Sequence, residues 1–170
     1  MRILIAEDET IIRLDLRGLL EKAGYEVCAE ARDGREAVDL AHEHQPDLAI
    51  LDVKMPNLDG IEAARMITAE RPIPVVLLTA YAGPELVSRA VGAGVFGYLV
   101  KPFREVDVAP ALELAWARHA DWLDTRRDLG RNVGSGSGPV DVVVEGKARW
   151  PLRIERKADG SIDVSLNDED

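Results

Sequence analysis

Five short apolar runs alternate along this chain with five longer segments whose apolar residues recur at helical spacing. The apolar runs are predicted to be strands, at residues 2–6, 26–30, 47–52, 75–79 and 96–100. The central runs are apolar almost throughout, as expected of strands covered on both faces. Such strand–helix alternation is typical of a parallel sheet with helices on both sides. The sequence therefore predicts an α/β domain with a doubly wound, five-stranded parallel sheet.

The intervening segments are predicted to be helices, at residues 10–20, 35–44 and 61–69, from 84 to about 91, and from 104 to 127. Asp59 is suited to cap the third helix, because its carboxylate can accept hydrogen bonds from the first free amides. The last helix is unusually long and is apolar on more than one face. Trp116, Ala120 and Leu123 lie at i, i+4 and i+7, which favours a homodimer through this helix over the alternative of a core helix with a frayed polar end.

After Gly130 the composition changes abruptly. The sequence predicts three parts, which are a domain at 1–128, a Gly/Ser linker at 129–139 and a β-rich tail at 140–170. Regular Gly-Ser alternation is found in natural linkers and in engineered joints, and both origins stay open. Segments 140–144, 152–155 and 161–166 have strand patterns, and a small hairpin or meander is only marginally stable alone. The tail is therefore expected to pack on a protein partner, a second copy or the first domain.

The overall charge argues against unaided nucleic-acid binding. Lys and Arg number 21 against 31 Asp and Glu, which gives a net charge of −10, whereas affinity for a phosphate backbone comes largely from clustered basic residues. The single cysteine, Cys28, rules out an internal disulfide framework and fits a reducing compartment. No apolar run is long enough to cross a bilayer. A cytoplasmic protein without a membrane segment is the expectation.

Polar residues follow four of the predicted strands. Glu7 and Asp8 come after the first, Asp52 ends the third, Thr79 ends the fourth and Lys101 follows the fifth. In an open parallel sheet, ligands bind beyond the carboxyl ends of the strands. Three carboxylates gathered there would repel one another unless a cation were bound, and Mg²⁺ prefers such oxygen ligands. The order of these polar residues along the chain predicts a site for Mg²⁺ and a phosphoryl group. In this site Asp52 is a candidate nucleophile, and Lys101 and Thr79 contact the phosphoryl oxygens.

These segments resemble the receiver domain of bacterial two-component response regulators. The resemblance covers residues 1–125 and is carried by segments 4–9, 51–60, 77–80 and 97–103. It implies a flavodoxin-like fold with Asp52 as the phosphoacceptor, a sensor histidine kinase as the donor and Mg²⁺ as the cofactor. It also implies no enzymatic activity beyond magnesium-dependent self-phosphorylation and dephosphorylation.

The resemblance assigns a role to each residue of the pocket. Asp8 would bind Mg²⁺ directly, Glu7 would act through water, and the backbone carbonyl of Lys54 would complete the metal site together with Asp52. Thr79 and Tyr98 would form the switch pair. Lys101 would contact the phosphoryl group, and the Lys101–Pro102 peptide would be cis. The family more often has Asp where this chain has Glu7.

Three other interpretations stay open. Segments 5–9 and 52–56 are similar to actinobacterial antitermination regulators, which carry a helical RNA-binding ANTAR module, but no helical pattern follows Arg127 and RNA binding is not supported. The chain would then be a remnant of such a regulator. Alternatively, the receiver is a constitutive scaffold for a protein interaction made by the tail, whether that tail is natural or fused. A haloacid-dehalogenase-like phosphatase also uses a strand-terminal Asp, but it places a second Asp where this chain has Lys54.

Overall fold

The computed structural model describes residues 1–81 and 84–131 and the two strands of the tail. Strands and helices alternate from the N-terminus, and two further strands follow. The elements are β1 (Arg2–Ala6), α1 (Thr10–Lys22), β2 (Glu26–Ala31), α2 (Gly34–His44), β3 (Leu48–Asp52), α3 (Gly60–Glu70), β4 (Val75–Thr79), α4 (Pro84–Ala90), β5 (Val95–Val100), α5 (Glu105–Arg131), β6 (Leu152–Arg156) and β7 (Ile162–Leu166). The predicted alternation is confirmed, with boundaries that move by up to four residues.

The first five strands form one sheet in the order β2-β1-β3-β4-β5, and all of its neighbouring strands are parallel. Alternate residues of a strand point to opposite faces. On β3, Leu51 faces a core that includes residues of α2, α3 and α4, and Ile50 faces a core that includes residues of α1 and α5. The helices therefore cover both faces, and the predicted doubly wound α/β fold is confirmed.

Local signals place the helix that follows Asp52. Asp59 has an extended backbone, and its Oδ1 accepts hydrogen bonds from the amides of Ile61 and Glu62, both at 2.9 Å. This is the predicted N-cap, which satisfies amides that have no partner within the helix. Capping fixes where α3 starts, and therefore how the loop between Asp52 and Asp59 folds back over the end of the sheet.

Helix α5 continues to Arg131, four residues beyond its predicted end. Among the α5 side chains that the structure describes, those at 105–126, the buried ones lie on one stripe, which consists of Val108, Leu112, Ala115 and His119. Trp116, in contrast, is 45% exposed, so it lies outside this stripe. The homodimer predicted from Trp116 stays a prediction.

The tail contains an antiparallel pair of strands, in which Leu152 pairs with Leu166 and Ile154 with Val164. The two strands lie within the segments predicted at 152–155 and 161–166 or one residue beyond them, and the β-rich tail as a whole stays a prediction. The predicted strand at 140–144 and most of the linker lie outside the described residues. The chain divides into two compact units, 1–124 and 125–170. The domain boundaries predicted at 128 and 139 stay predictions. Within the described ranges, the helices are too short or too polar to cross a bilayer.

Candidate metal and phosphoryl site

The sheet register brings three carboxylates together. Strands β1 and β3 are parallel neighbours in which Ala6 pairs with Leu51, so the residues that follow, Glu7 and Asp52, lie side by side. One carboxylate oxygen from each of Glu7, Asp8 and Asp52 lies within 4.8 Å of the other two. Glu7 and Asp52 are buried, whereas Asp8 is exposed. The cluster predicted from the sequence is therefore present at the carboxyl edge of the sheet.

Lys101 supplies a positive charge to this cluster. Its Nζ lies 2.5 Å from Oε2 of Glu7 and 3.0 Å from Oδ1 of Asp52. The Lys101 amide donates to the carbonyl of Thr79 at 2.8 Å. This hydrogen bond continues the β4–β5 pairing to the carboxyl edge of the sheet. The Lys101–Pro102 peptide is cis, as the resemblance implies.

Burial is the main influence on the protonation of these groups. It raises the pKa of Glu7 and of Asp52, because an ionised carboxylate is poorly solvated there, and Lys101 opposes this change in both. Burial by itself would lower the pKa of Lys101, but its hydrogen bonds to Glu7 and Asp52 outweigh that effect and raise it. The pocket thus contains one ammonium group and three carboxylates. An excess of hard oxygen donors over positive charge is the chemistry that suits Mg²⁺.

Thr79 and Tyr98, the predicted switch pair, lie on the neighbouring strands β4 and β5. Thr79 is buried, and its Oγ1 donates to the Tyr81 carbonyl at 2.8 Å and accepts from the Tyr81 amide at 3.1 Å. Tyr98 is half-buried against the core that faces α2 to α4, and this burial raises the pKa of its phenol to about 12. The Thr79 hydroxyl is therefore engaged in the turn that follows β4.

The loop after Asp52 is held close to the strand. Lys54 lies two residues beyond Asp52 with an exposed side chain, and the role predicted for its carbonyl stays a prediction. The amide of Gly60 donates to the Val53 carbonyl at 3.1 Å. A Cβ atom on Gly60 would lie 2.0 Å from the Asp52 carbonyl oxygen. Only glycine permits this close approach of α3 to the residue that carries the candidate nucleophile.

Sequence reasoning missed Arg13, which lies on α1 beside the acidic loop, the residues 7–9 that connect β1 to α1. The Arg13 side chain is 11% exposed, and its Nη1 donates to the backbone carbonyl of Glu7 at 2.5 Å. The only signal in the sequence is an arginine between two apolar residues, Ile12 and Leu14. Such a signal cannot name the partner of the guanidinium group, because the contact depends on how α1 packs on the sheet.

The part of the chain that carries this site is similar to known proteins. A family model described as the response regulator receiver domain matches residues 3–113. The transcriptional regulatory protein PdtaR of Mycobacterium tuberculosis is 56% identical over 117 residues, which are 69% of this chain and 57% of that protein. The chemotaxis protein CheY of Thermotoga maritima is 38% identical over 112 residues, which are 65% of this chain and 93% of CheY.

A solved structure shows the same fold. The signal receiver domain of the response regulator NarL from Mycobacterium tuberculosis superposes with a TM-score of 0.63 at 32% identity, over 67% of this chain and 94% of that one. The matched part of this chain spans 57% of the length of PdtaR. The family match extends over more than half of this chain and includes every pocket residue described above. The chain belongs to the response regulator receiver domain family, whose members are regulatory proteins of two-component signalling.

Proposed function

We propose that this chain is a phosphorelay receiver in which Asp52 accepts a phosphoryl group from a sensor histidine kinase. The observation that carries the proposal is the position of Lys101 Nζ, 3.0 Å from the Asp52 carboxylate and in contact with Glu7. An ammonium group there would meet the phosphoryl oxygens as soon as Asp52 carries them. Receiver domains typically act with sensor histidine kinases and generally bind Mg²⁺, and the carboxylate cluster fits that ion.

Asp52 supplies the nucleophile for the transfer. One of its carboxylate oxygens attacks the phosphorus, the P–N bond to the kinase imidazole breaks with its electron pair left on nitrogen, and an acyl phosphate forms. Asp8, Asp52 and the Lys54 carbonyl would hold Mg²⁺, and Glu7 would act through water. When bound, the ion supplies neutralisation of the phosphoryl charge. Lys101, directly after β5, adds a positive charge to the pocket.

Phosphorylation would then act on the Thr79–Tyr98 pair. The acyl phosphate adds about −1.5 to −2 of charge near Thr79, by analogy with other phosphorylations. To donate to it, the Thr79 hydroxyl must leave the Tyr81 carbonyl, its present acceptor at 2.8 Å. Tyr98 would follow into the vacated space, and the surface made by α4 and β5 would change. Such a local electrostatic change that biases a two-state element is a typical switch.

Phosphorylation by acetyl phosphate with Mg²⁺, followed on a phosphate-affinity gel, tests the proposal. Asp52→Asn keeps the size of the side chain but removes the nucleophile, and no retarded band should form. Asp15→Asn is the matched control, because Asp15 is an exposed acid on α1, and it should be phosphorylated like the unmodified chain. An Asp52→Asn protein that still shifts would assign the acceptor to another residue. Neither the unmodified chain nor Asp52→Asn should hydrolyse a generic phosphate ester, whereas a phosphatase would.

The finer parts of the proposal concern location and partners. We place the protein in the cytoplasm, where sensor kinases present their phosphohistidine, and we propose that α5 supports a homodimer and that the tail binds a protein partner or a second copy. Light scattering with and without beryllofluoride, on the full chain and on a form that ends at residue 130, separates these contributions. A mass that never exceeds one chain would remove the homodimer.

A further inference from the structure

The acidic loop that begins at Glu7 is fixed through its backbone. The amide of Glu7 donates to the carbonyl of Ala31 at the end of β2, at 3.1 Å. Its carbonyl accepts from Nη1 of Arg13 at 2.5 Å. Both backbone polar groups of Glu7 thus have partners, and the Arg13 contact acts on the peptide that joins Glu7 to Asp8.

Arg13 is itself held in place by a carboxylate. Its Nε lies 3.6 Å from Oε2 of Glu30 on β2, and the Arg13 side chain is only 11% exposed. The other oxygen of Glu30, Oε1, accepts from Nη1 of Arg17 at 2.5 Å. Arg13 therefore connects β2 to the acidic loop, whereas Arg17 pairs with the same glutamate, Glu30, and with Glu21 on its own helix.

We propose that Arg13 is a positioning residue for the divalent-cation site, because it fixes the Glu7–Asp8 peptide and with it the direction of both carboxylates. The inference rests on the proposed magnesium-dependent function. A planar guanidinium group that donates a hydrogen bond to the Glu7 carbonyl and forms an ion pair with Glu30 holds the loop more rigidly than the hydrogen bond alone would. Groups that orient metal ligands typically change metal affinity by about 10–100-fold when removed.

The sign of the effect separates positioning from simple electrostatics. Arg13 is a cation close to a site for another cation, so its charge alone weakens Mg²⁺ binding. Removing that charge should strengthen binding if electrostatics dominates. It should weaken binding if the orientation of Glu7 and Asp8 dominates, as we infer.

Calorimetric titration of the metal-free protein with MgCl₂ provides the test. Arg13→Gln should raise the Kd for Mg²⁺ about 10-fold or more. Arg17→Gln, the matched control, removes the second ion pair of Glu30 and should leave the Kd within about twofold of the unmodified chain, since exposed ion pairs contribute little. An Arg13→Gln protein with an unchanged or lower Kd overturns the inference, and so does an equal increase in both variants.

Two further measurements keep the outcome decisive. Phosphorylation of Arg13→Gln by acetyl phosphate should recover to the unmodified rate when MgCl₂ is raised, since only metal affinity is changed; a lower rate at saturating Mg²⁺ contradicts positioning. If Arg13→Gln does not fold, Arg13→Lys replaces it, because lysine keeps the positive charge and loses the planar guanidinium group. An unchanged Kd for this variant, which electrostatics alone predicts, would overturn the inference, whereas positioning predicts a raised Kd. Failure of the unmodified chain to bind Mg²⁺ would overturn the proposed function as well, whereas normal binding with an insensitive Arg13 overturns only this inference.

Discussion

Titratable side chains are buried at both ends of the sheet, but the groups that surround them differ. At the carboxyl end, Glu7 and Asp52 are buried beside Lys101 and the exposed Asp8. Toward the amino end, His119 of α5 is 7% exposed. It lies against Phe96 with ring centroids 5.2 Å apart and is stacked on Trp122 at 5.8 Å.

The electrostatic environment separates these two regions. At the carboxyl end burial raises the pKa of two acids, and the same acids raise the pKa of Lys101, so charges of both signs are concentrated in one pocket. At the amino end burial lowers the pKa of His119, although the Pro72 carbonyl opposes this change. The neutral imidazole therefore behaves as part of an aromatic cluster. Burial of a titratable group therefore does not by itself indicate a functional site. The proposed site rests instead on three carboxylates that share a single ammonium group.

The largest effect is expected from Lys101→Met. The change keeps most of the volume but leaves Glu7 and Asp52 without their ammonium group. We expect the rate of phosphorylation to fall roughly 100-fold, as when one charge-stabilising donor is removed from an active site. The free energy of unfolding of the metal-free protein should fall by about 2 kcal/mol. This is less than the roughly 3–5 kcal/mol typical of a fully buried pair, because the pocket is accessible to water at the exposed Asp8. Gel assays and urea unfolding measure the two losses.

Magnesium provides the control for Lys101→Met. A bound cation takes over part of the neutralisation, so saturating MgCl₂ should stabilise the variant more than the unmodified chain. Equal stabilisation of the two proteins would mean that Lys101 does not balance the carboxylates, and the contrast between the two ends of the sheet would lose its electrostatic basis.

The next largest effect is expected from Gly60→Ala. The new Cβ would lie 2.0 Å from the Asp52 carbonyl oxygen, so the backbone must move, at a cost of about 2 kcal/mol. Gly18→Ala is the matched control, because a Cβ on Gly18 meets nothing within 4 Å. In the interior of α1 alanine should stabilise by about 0.5–1 kcal/mol. Urea unfolding measures both changes, and a neutral Gly60→Ala would show that the loop after Asp52 is pliable.

The smallest effect is expected at the amino end. Because burial lowers the pKa of His119 below its ordinary value of 6.5, the neutral imidazole contributes stability that is fully present above pH 6.5. This contribution is lost as the pH falls toward the lower pKa of the folded state. His119→Phe removes the titration and keeps an aromatic ring, so its urea midpoint should fall less than that of the unmodified chain between about pH 7.5 and pH 5. Parallel midpoints would show that His119 has no part in the pH dependence.

Much of the fold followed from local sequence patterns. Strand and helix periodicity and the cap at Asp59 are properties of neighbouring residues, so they predicted the elements to within a few positions. The end of α5 was placed four residues too early. Helix ends fray, and their position depends on local competition that periodicity does not report.

The candidate site was predicted in its membership but not in its contacts. Polar residues that follow parallel strands must share one edge of the sheet, which explains why Glu7, Asp8, Asp52 and Lys101 were identified together. The sequence alone could not show that Thr79 donates to Tyr81 or that Arg13 holds the Glu7 carbonyl. Such contacts depend on side-chain direction and on how helices pack against the sheet.

The sequence by itself determined the class of fold and the edge at which its chemistry lies, because both follow from periodicity and from the order of residues along the chain. Only the tertiary structure decided which buried groups meet an opposite charge. It placed Lys101 between Glu7 and Asp52 and enclosed His119 among aromatic rings. The physical reason is that the cost of burying a charge depends on what surrounds it in space, and those neighbours are distant in sequence.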